Sequence, residues 1–252
     1  MKNNTLLITA SLDSTIKTWS LPNFTLIKTY ADHKESVLAL TNKDENTMAS
    51  GGADEMLKIW QLNTSVTLRT INISDWINSL VAIGNDLLAN GNTGIKDSSL
   101  YIWNMKTGEL VHTLKGHTQG ISDLILINKG TLASASFDMT IILWNLEKWN
   151  IIQTLHGHTS SILALKFIQF YGILVSSSAD STLKLWSVTE TSLIRTLEGH
   201  KGRIFSFDLY NDNEQIVSAG FDDQTLKFWN VSSGKLLNTS NVNYFISPVL
   251  VL

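Results

Sequence analysis

"LASASFDMTIILW", Leu132 to Trp144, ends in a tryptophan, carries Asp138 six residues before it and has Ser134 four residues before the aspartate. With His117 just upstream in "GHTQG", the stretch admits two readings: a reactive Ser/His/Asp set, or a strand pair whose turn holds a polar network. Recurrence decides between them. The same layout returns in "LITASLDSTIKTW" from Leu7, "MASGGADEMLKIW" from Met48, "LVSSSADSTLKLW" from Leu174 and "IVSAGFDDQTLKFW" from Ile216, with a looser copy, "LANGNTGIKDSSLYIW", from Leu88. The closing tryptophans, Trp19, Trp60, Trp103, Trp144, Trp186 and Trp229, recur every 41 to 43 residues. A period of that size marks a repeat architecture.

Within each unit, apolar and polar residues alternate over five to eight positions between clusters of Asp, Gly, Asn and Ser, which predicts strands. After Trp144 the runs are "KWNIIQTL", "SSILALKFI", "GILVSSS" and "STLKLWSV", four to a unit. The chain enters at the second strand of a unit and ends on one apolar run, "FISPVLVL", so 24 strands are expected, six groups of four. Pairing of that last strand with the first group would close a ring and remove exposed edges. The expected fold is all-β, a six-bladed propeller forming a single domain over 1–252, with blades at 245–252 plus 1–31, 32–72, 73–114, 115–155, 156–197 and 198–240.

Composition narrows the function. Nineteen basic against 22 acidic residues give a net charge of −3, so no broad attraction to nucleic acid or anionic lipid is expected. The absence of cysteine rules out disulfides and thiolate metal sites. "MKNNTLLITAS" enters a strand pattern at once, with neither a secretory leader nor a membrane span, which points to cytoplasm or nucleus. Phosphate-binding glycine motifs are missing. His156 and His158 lie two apart, but no third ligand accompanies them, so no metal and no cofactor is expected.

From end to end the chain resembles the WD40-repeat family. That pattern sets Gly-His before the innermost strand, Ser/Thr on the second strand, Asp in the next turn and Trp on the third strand. Matching sets are His33, Ser50, Asp54 and Trp60, preceded by Asp32 instead of glycine; His117, Ser134, Asp138 and Trp144; His158, Ser176, Asp180 and Trp186; and His200, Ser218, Asp222 and Trp229, with one extra turn residue. The resemblance implies a relay of hydrogen bonds from indole to hydroxyl to imidazole to carboxylate that pins a loop to a sheet. On this reading the set has no catalytic role. The first unit keeps Thr9, Asp13 and Trp19 and offers only Asn243 near the histidine position; the third has "INISDWINSL" where Gly-His belongs and three extra residues before Asp97, so both are expected to have incomplete networks.

The resemblance also implies a partner-binding face built from the residue before each turn aspartate and from the start of each innermost strand. Here that selects Leu12, Lys96, Phe137 and Phe221 with Leu38, Trp76, Leu163, Arg203 and Phe205. Aromatic residues with arginine are the types enriched in binding hot spots. Arg203 would offer a charge to orient an acidic group. A second cluster, Trp149, Phe170 and Tyr171, falls in turns of the opposite face. The expected function is a non-catalytic platform for a protein or peptide partner, with no small-molecule substrate, nucleic acid or membrane. Two alternatives stay open: a piece of a seven-bladed or multidomain protein, and an enzyme on a propeller scaffold.

Overall fold

A computed structural model describes residues 6–242 apart from 22, 65 and 85. Among the described residues all regular structure is strand, arranged in six consecutive antiparallel sheets, each with its strands in chain order. The chain divides into two compact units, Met1–Lys115 and Gly116–Leu252.

The first unit holds a three-stranded sheet, β1 (Leu6–Ala10), β2 (Ile16–Ser20) and β3 (Thr25–Tyr30). Two four-stranded sheets follow: β4 (Val37–Asn42), β5 (Thr47–Gly52), β6 (Met56–Gln61) and β7 (Val66–Asn72); then β8 (Ile77–Ala82), β9 (Leu87–Asn92), β10 (Leu100–Asn104) and β11 (Leu110–Leu114). In the second unit, one sheet is β12 (Ile121–Asn128), β13 (Thr131–Ser136), β14 (Ile141–Asn145) and β15 (Asn150–Leu155), and the next is β16 (Ile162–Ile168), β17 (Ile173–Ser178), β18 (Thr182–Ser187) and β19 (Ser192–Glu198). The last is β20 (Ile204–Tyr210), β21 (Gln215–Gly220), β22 (Thr225–Asn230) and β23 (Leu236–Asn241). The run "FISPVLVL" and Asn243 lie outside the described residues.

The turn between β1 and β2 of the first sheet, and between the second and third strands of the four-stranded sheets, explains why aspartate recurs. One residue there, Ser14, Glu55, Met139, Ser181 or Gln224, has φ between +52° and +70°, an arrangement that costs a side-chain-bearing residue on the order of 1 kcal/mol. The turn aspartate offsets that cost by accepting the amide of the residue two positions on, as in Thr140 N–H to Asp138 and Thr182 N–H to Asp180, both 2.9 Å.

Packing between successive sheets supplies the core. Trp186 of β18 packs with Ala133, Ile141 and Leu143 of the preceding sheet, and Trp229 of β22 packs with Val175, Leu183 and Leu185. In the first unit Trp60 packs with Ile16 and Tyr30. These indoles are essentially fully buried, each removing a large apolar surface from water. Basic side chains on outer strands clasp the next sheet: Lys28 donates to the carbonyl of Asn63, Arg69 to that of Lys106 and Arg195 to that of Ser232. Lysine and arginine suit this place, because the stem covers apolar surface while the charged head reaches an orphan turn carbonyl.

Candidate functional site

Four sheets carry a complete relay. Trp60, Trp144, Trp186 and Trp229 each donate Nε1–H to the hydroxyl of Ser50, Ser134, Ser176 or Ser218 at 2.7–2.8 Å. Each hydroxyl lies 2.7–2.8 Å from Nε2 of His33, His117, His158 or His200. The indole can only donate, so the serine proton goes to Nε2 and the imidazole donates from Nδ1. Its acceptors are Asp54, Asp138 and Asp180, at 2.9, 2.8 and 2.7 Å. The same carboxylates take the amides of Lys34, Thr118 and Thr159, pinning the loop before the first strand of each sheet to the turn.

At His200 the acceptor is Asp223, at 2.9 Å, which also takes the Lys201 amide; Asp222, assigned there from the sequence, is not in the relay. The extra turn residue moves the carboxylate one place on. Gly220 makes this possible, since a Cβ there would stand 2.0 Å from Asp223 Oδ1. A sequence signal was present: the relay aspartate stands two before threonine in Asp138–Thr140, Asp180–Thr182 and Asp223–Thr225, and Asp222 does not.

Electrostatics favour a neutral imidazole beside a carboxylate. Burial lowers His33, His158 and His200 below their ordinary value, only partly opposed by their aspartates. Burial pushes the Asp138 and Asp180 carboxyls up, but hydrogen bonds from His117 or His158, from threonine and from the loop amide outweigh it and hold them low. The Ser–His–Asp distances are those of a hydrolase triad, yet the serines are fully buried and each oxygen is held between indole and imidazole. Such an oxygen cannot reach a substrate, so these sets are structural.

Where the sequence departs from the pattern, substitute contacts stand. Asp32 replaces the glycine of Gly157 and Gly199, and its carboxylate takes Lys58 Nζ at 2.8 Å and Thr67 Oγ1 at 3.0 Å. In the first sheet Trp19 donates to Thr9 at 2.9 Å. The third sheet, expected to be incomplete, has a network of different parts. Trp103 donates to Asn90 Oδ1 at 2.6 Å, and Asn90 donates to Asn92 at 2.6 Å. The pinning carboxylate comes from the opposite side: Asp75, buried in the loop before β8, takes Thr93 Oγ1 at 2.8 Å and the Lys96 amide at 3.3 Å. Asp97 stays within its own loop, accepting from Ser99 and from the Tyr101 hydroxyl. Burial, and then that carboxylate, push the Tyr101 hydroxyl up to about 12.

At the end where these networks lie, five of the six sheets share one local geometry. One backbone bond repeats there: Ala53, Thr93, Phe137, Ala179 and Phe221 donate to the carbonyls of Ser36, Trp76, Gly120, Ser161 and Arg203 at 2.8–3.0 Å. By this register the third-sheet residue equivalent to Phe137 is Thr93. Lys96, chosen from the sequence, lies three residues farther into the insertion and pairs with Glu55 at 2.9 Å. The first strand of each four-stranded sheet then breaks register at its second residue, Leu38, Asn78, Ser122, Leu163 or Phe205. A bulge re-aims the side chain of the extra residue, so these positions are turned out of the ladder by backbone geometry.

In the first unit Leu12 is 77% exposed and Trp76 43%, with Leu38 also exposed. Ser36 Oγ donates to the Leu12 carbonyl, joining the first two sheets at this end. In the second unit Phe137, Leu163, Phe205 and Phe221 are half-buried and Arg203 is exposed. Phe205 and Phe221 meet edge to face at 5.1 Å, and the Arg203 guanidinium lies 5.4 and 5.3 Å from their ring centres. Arg203 is not a free charge, contrary to expectation: it binds Asp222 through Nε at 3.0 Å and through a terminal nitrogen at 2.8 Å. That hydrogen bond holds the Asp222 carboxyl down, to about 2. Phe137 occupies the register of Phe221 two sheets earlier, with Ala179 between them. At the opposite end Phe170, 86% exposed, stacks edge-on against Tyr171 at 5.0 Å, and Trp149 is half-buried. Among the described residues no group of three or more His, Asp or Glu is placed to hold a metal, and no helix is long and apolar enough to cross a membrane.

Comparison with known proteins agrees with this geometry. The family profile described as "WD domain, G-beta repeat" matches residues 24–61, 108–145, 149–187 and 191–230. These segments include Trp60, Trp144, Trp186 and Trp229, the four tryptophans of complete relays. The chain is 31% identical over 121 residues to myosin heavy chain kinase C of Dictyostelium discoideum, covering 47% of this chain and 15% of the kinase. It is also 31% identical over 120 residues to the APC/C activator protein CDH1 of Saccharomyces cerevisiae, covering 46% and 21%. With transducin beta-like protein 3 of Rattus norvegicus it shares 28% identity over 121 residues, covering 43% and 15%. The matches therefore span about half of this chain and at most about a fifth of these relatives. With the profile matching more than half of its residues and the relay present in four sheets, the chain belongs to the WD40-repeat family.

Proposed function

We propose that this chain is a non-catalytic, intracellular interaction platform that holds a protein or peptide partner against the turn-and-bulge end of its sheets. The carrying observation is the bulge repeated at Leu38, Leu163 and Phe205, which turns apolar side chains out of otherwise regular strands. In the second unit the resulting patch is electrically neutral, because Asp222 cancels Arg203. A partner's apolar or aromatic side chain fits such a patch better than a charged one does. The test is affinity capture with the intact chain and with Phe205→Ala plus Phe221→Ala, checking urea stability alongside. Removing two aromatic anchors is expected to weaken the captured complex roughly thirtyfold, while Phe170→Ala at the other end leaves it unchanged. A folded double variant that retains its partner, combined with loss in Phe170→Ala, would move the site to the opposite end.

The same reading takes 1–252 as one six-bladed ring closed by residues 245–252 on the first sheet. Its support is the first sheet, which has three strands among the described residues where the other five have four. Deleting 245–252 is then expected to bare a sheet edge and to give a chain that aggregates or melts earlier than the parent. Unchanged solubility and melting would favour a second reading, that the chain is part of a longer WD40 protein, as its small share of each relative suggests.

A further inference from the structure

At the other end of the first unit a cleft opens between the second and third sheets, apart from the relay and from the bulged surface. Its volume is about 360 Å³; Ile59, Leu68 and Met105 form the apolar floor, and Lys43, Arg69 and Lys106 stand around it. That volume lies within the range of about 300–1,000 Å³ usual for ligand clefts. A shallower depression of about 270 Å³ continues it past Leu68 and Arg69 along β7 to Thr107 and Gly108.

The charge here is unbalanced. Asp86 bridges Lys106, whose ammonium is 2.6 Å away, and Lys43. Those two ammonium groups, Lys106 first, hold the Asp86 carboxyl low, so it stays an anion. Asp44 lies 3.9 Å from Lys43. Arg69 spends its Nε–H on the Lys106 carbonyl, and among the described residues no carboxylate forms an ion pair with its guanidinium. Three cations thus face two carboxylates, with Arg69 presenting a planar fork suited to an incoming carboxylate. The wall itself is an edge: β7 is the outermost strand of its sheet, and its register breaks at Leu68, between Thr67 and Arg69. Beyond the bulge, Arg69 to Ile71 present the outer edge of the strand along the second depression, where an extended chain can add hydrogen bonds.

We propose that this cleft is a second binding site that takes an extended acidic peptide segment. Carboxylates bind at Arg69 and Lys106, and the intervening apolar side chain lies on Ile59, Leu68 and Met105. Alternation of acidic and apolar residues follows from the two-residue period of an extended chain.

The test uses the intact chain and fluorescein-labelled Glu-Leu-Glu-Leu-Glu, read by anisotropy, against the Gln-for-Glu and Lys-for-Glu peptides and a short oligouridylate. The glutamate peptide should bind about tenfold tighter than the glutamine peptide and weaken as salt rises. Lys106 has a 72% exposed side chain, so Lys106→Gln should leave folding intact and reduce affinity about fivefold. Independently, peptide-induced amide shifts should centre on Leu68, Met105 and Gly108. Equal binding of the glutamate and glutamine peptides, tighter binding of the oligouridylate or of the lysine peptide, or shifts centred on Phe205 and Phe221 would each overturn the proposal.

Discussion

Replacing His158 by alanine should lower the unfolding free energy by about 3 kcal/mol, because it removes a hydrogen bond to a buried carboxylate and strands a buried hydroxyl. The imidazole is buried and touches both Ser176 and Asp180 at 2.7 Å. Without it the serine hydroxyl loses its acceptor, and a carboxylate that stays charged faces an emptied space. Ser176→Ala removes only the middle hydroxyl and should cost less, about 1–2 kcal/mol. Urea midpoints at constant slope measure both. A cost for His158→Ala below about 1 kcal/mol would mean that solvent already satisfies Asp180.

The same groups set a sign for pH. Burial holds His33, His158 and His200 below 6.5, so as pH falls below 6.5 the unfolded chain takes up protons first and stability declines. Asp138, Asp180 and Asp223 are held below 3.8 despite burial, so a second loss begins as pH falls below about 3.8. Unfolding followed from neutral to acid pH should show both phases, and His158→Ala should reduce the first. A stability that rises between pH 6.5 and 5 would contradict a neutral resting imidazole.

Gly51→Ala is expected to cost about 2 kcal/mol through overpacking alone. A methyl group there would stand 2.3 Å from Cγ2 and 2.6 Å from Cβ of Ile77, which is fully buried at the start of the next sheet. Gly51, Ala135, Ser177 and Ala219 occupy one register position, opposite Ala39, Asp123, Ala164 and Ser206, and all four are small. Ile77→Ala relieves the clash while opening a cavity of its own. The double variant should therefore cost at least about 1 kcal/mol less than the two single costs together. Simple additivity would show that the two sheets do not meet at this point.

The repeat period, the strands and the residue types of four relays were all legible in the sequence. They rest on short-range rules: alternation sets which residues face a neighbouring sheet, and a turn aspartate caps the amide two residues on. The Asp-x-Thr spacing and the six-residue count back from tryptophan both distinguish Asp223 from Asp222, though the four-residue count forward from Ser218 conceals it. The third sheet was less legible, because Asp75 and Asn90 are different residue types that reach the same end from other positions.

What the sequence by itself determined was thus the repeating strand-and-turn unit and the buried character of its polar set. Tertiary structure alone decided which partners those groups take. Arg203 became a neutral member of a pair with Asp222, nineteen residues away, and Arg69 met the Lys106 carbonyl from the neighbouring sheet. Such choices are made by hydrogen bonds near 3 Å between loops distant along the chain, and a one-residue insertion or bulge redirects them. Local periodicity carries no record of those distances, and so these pairings emerge only once the sheets are packed.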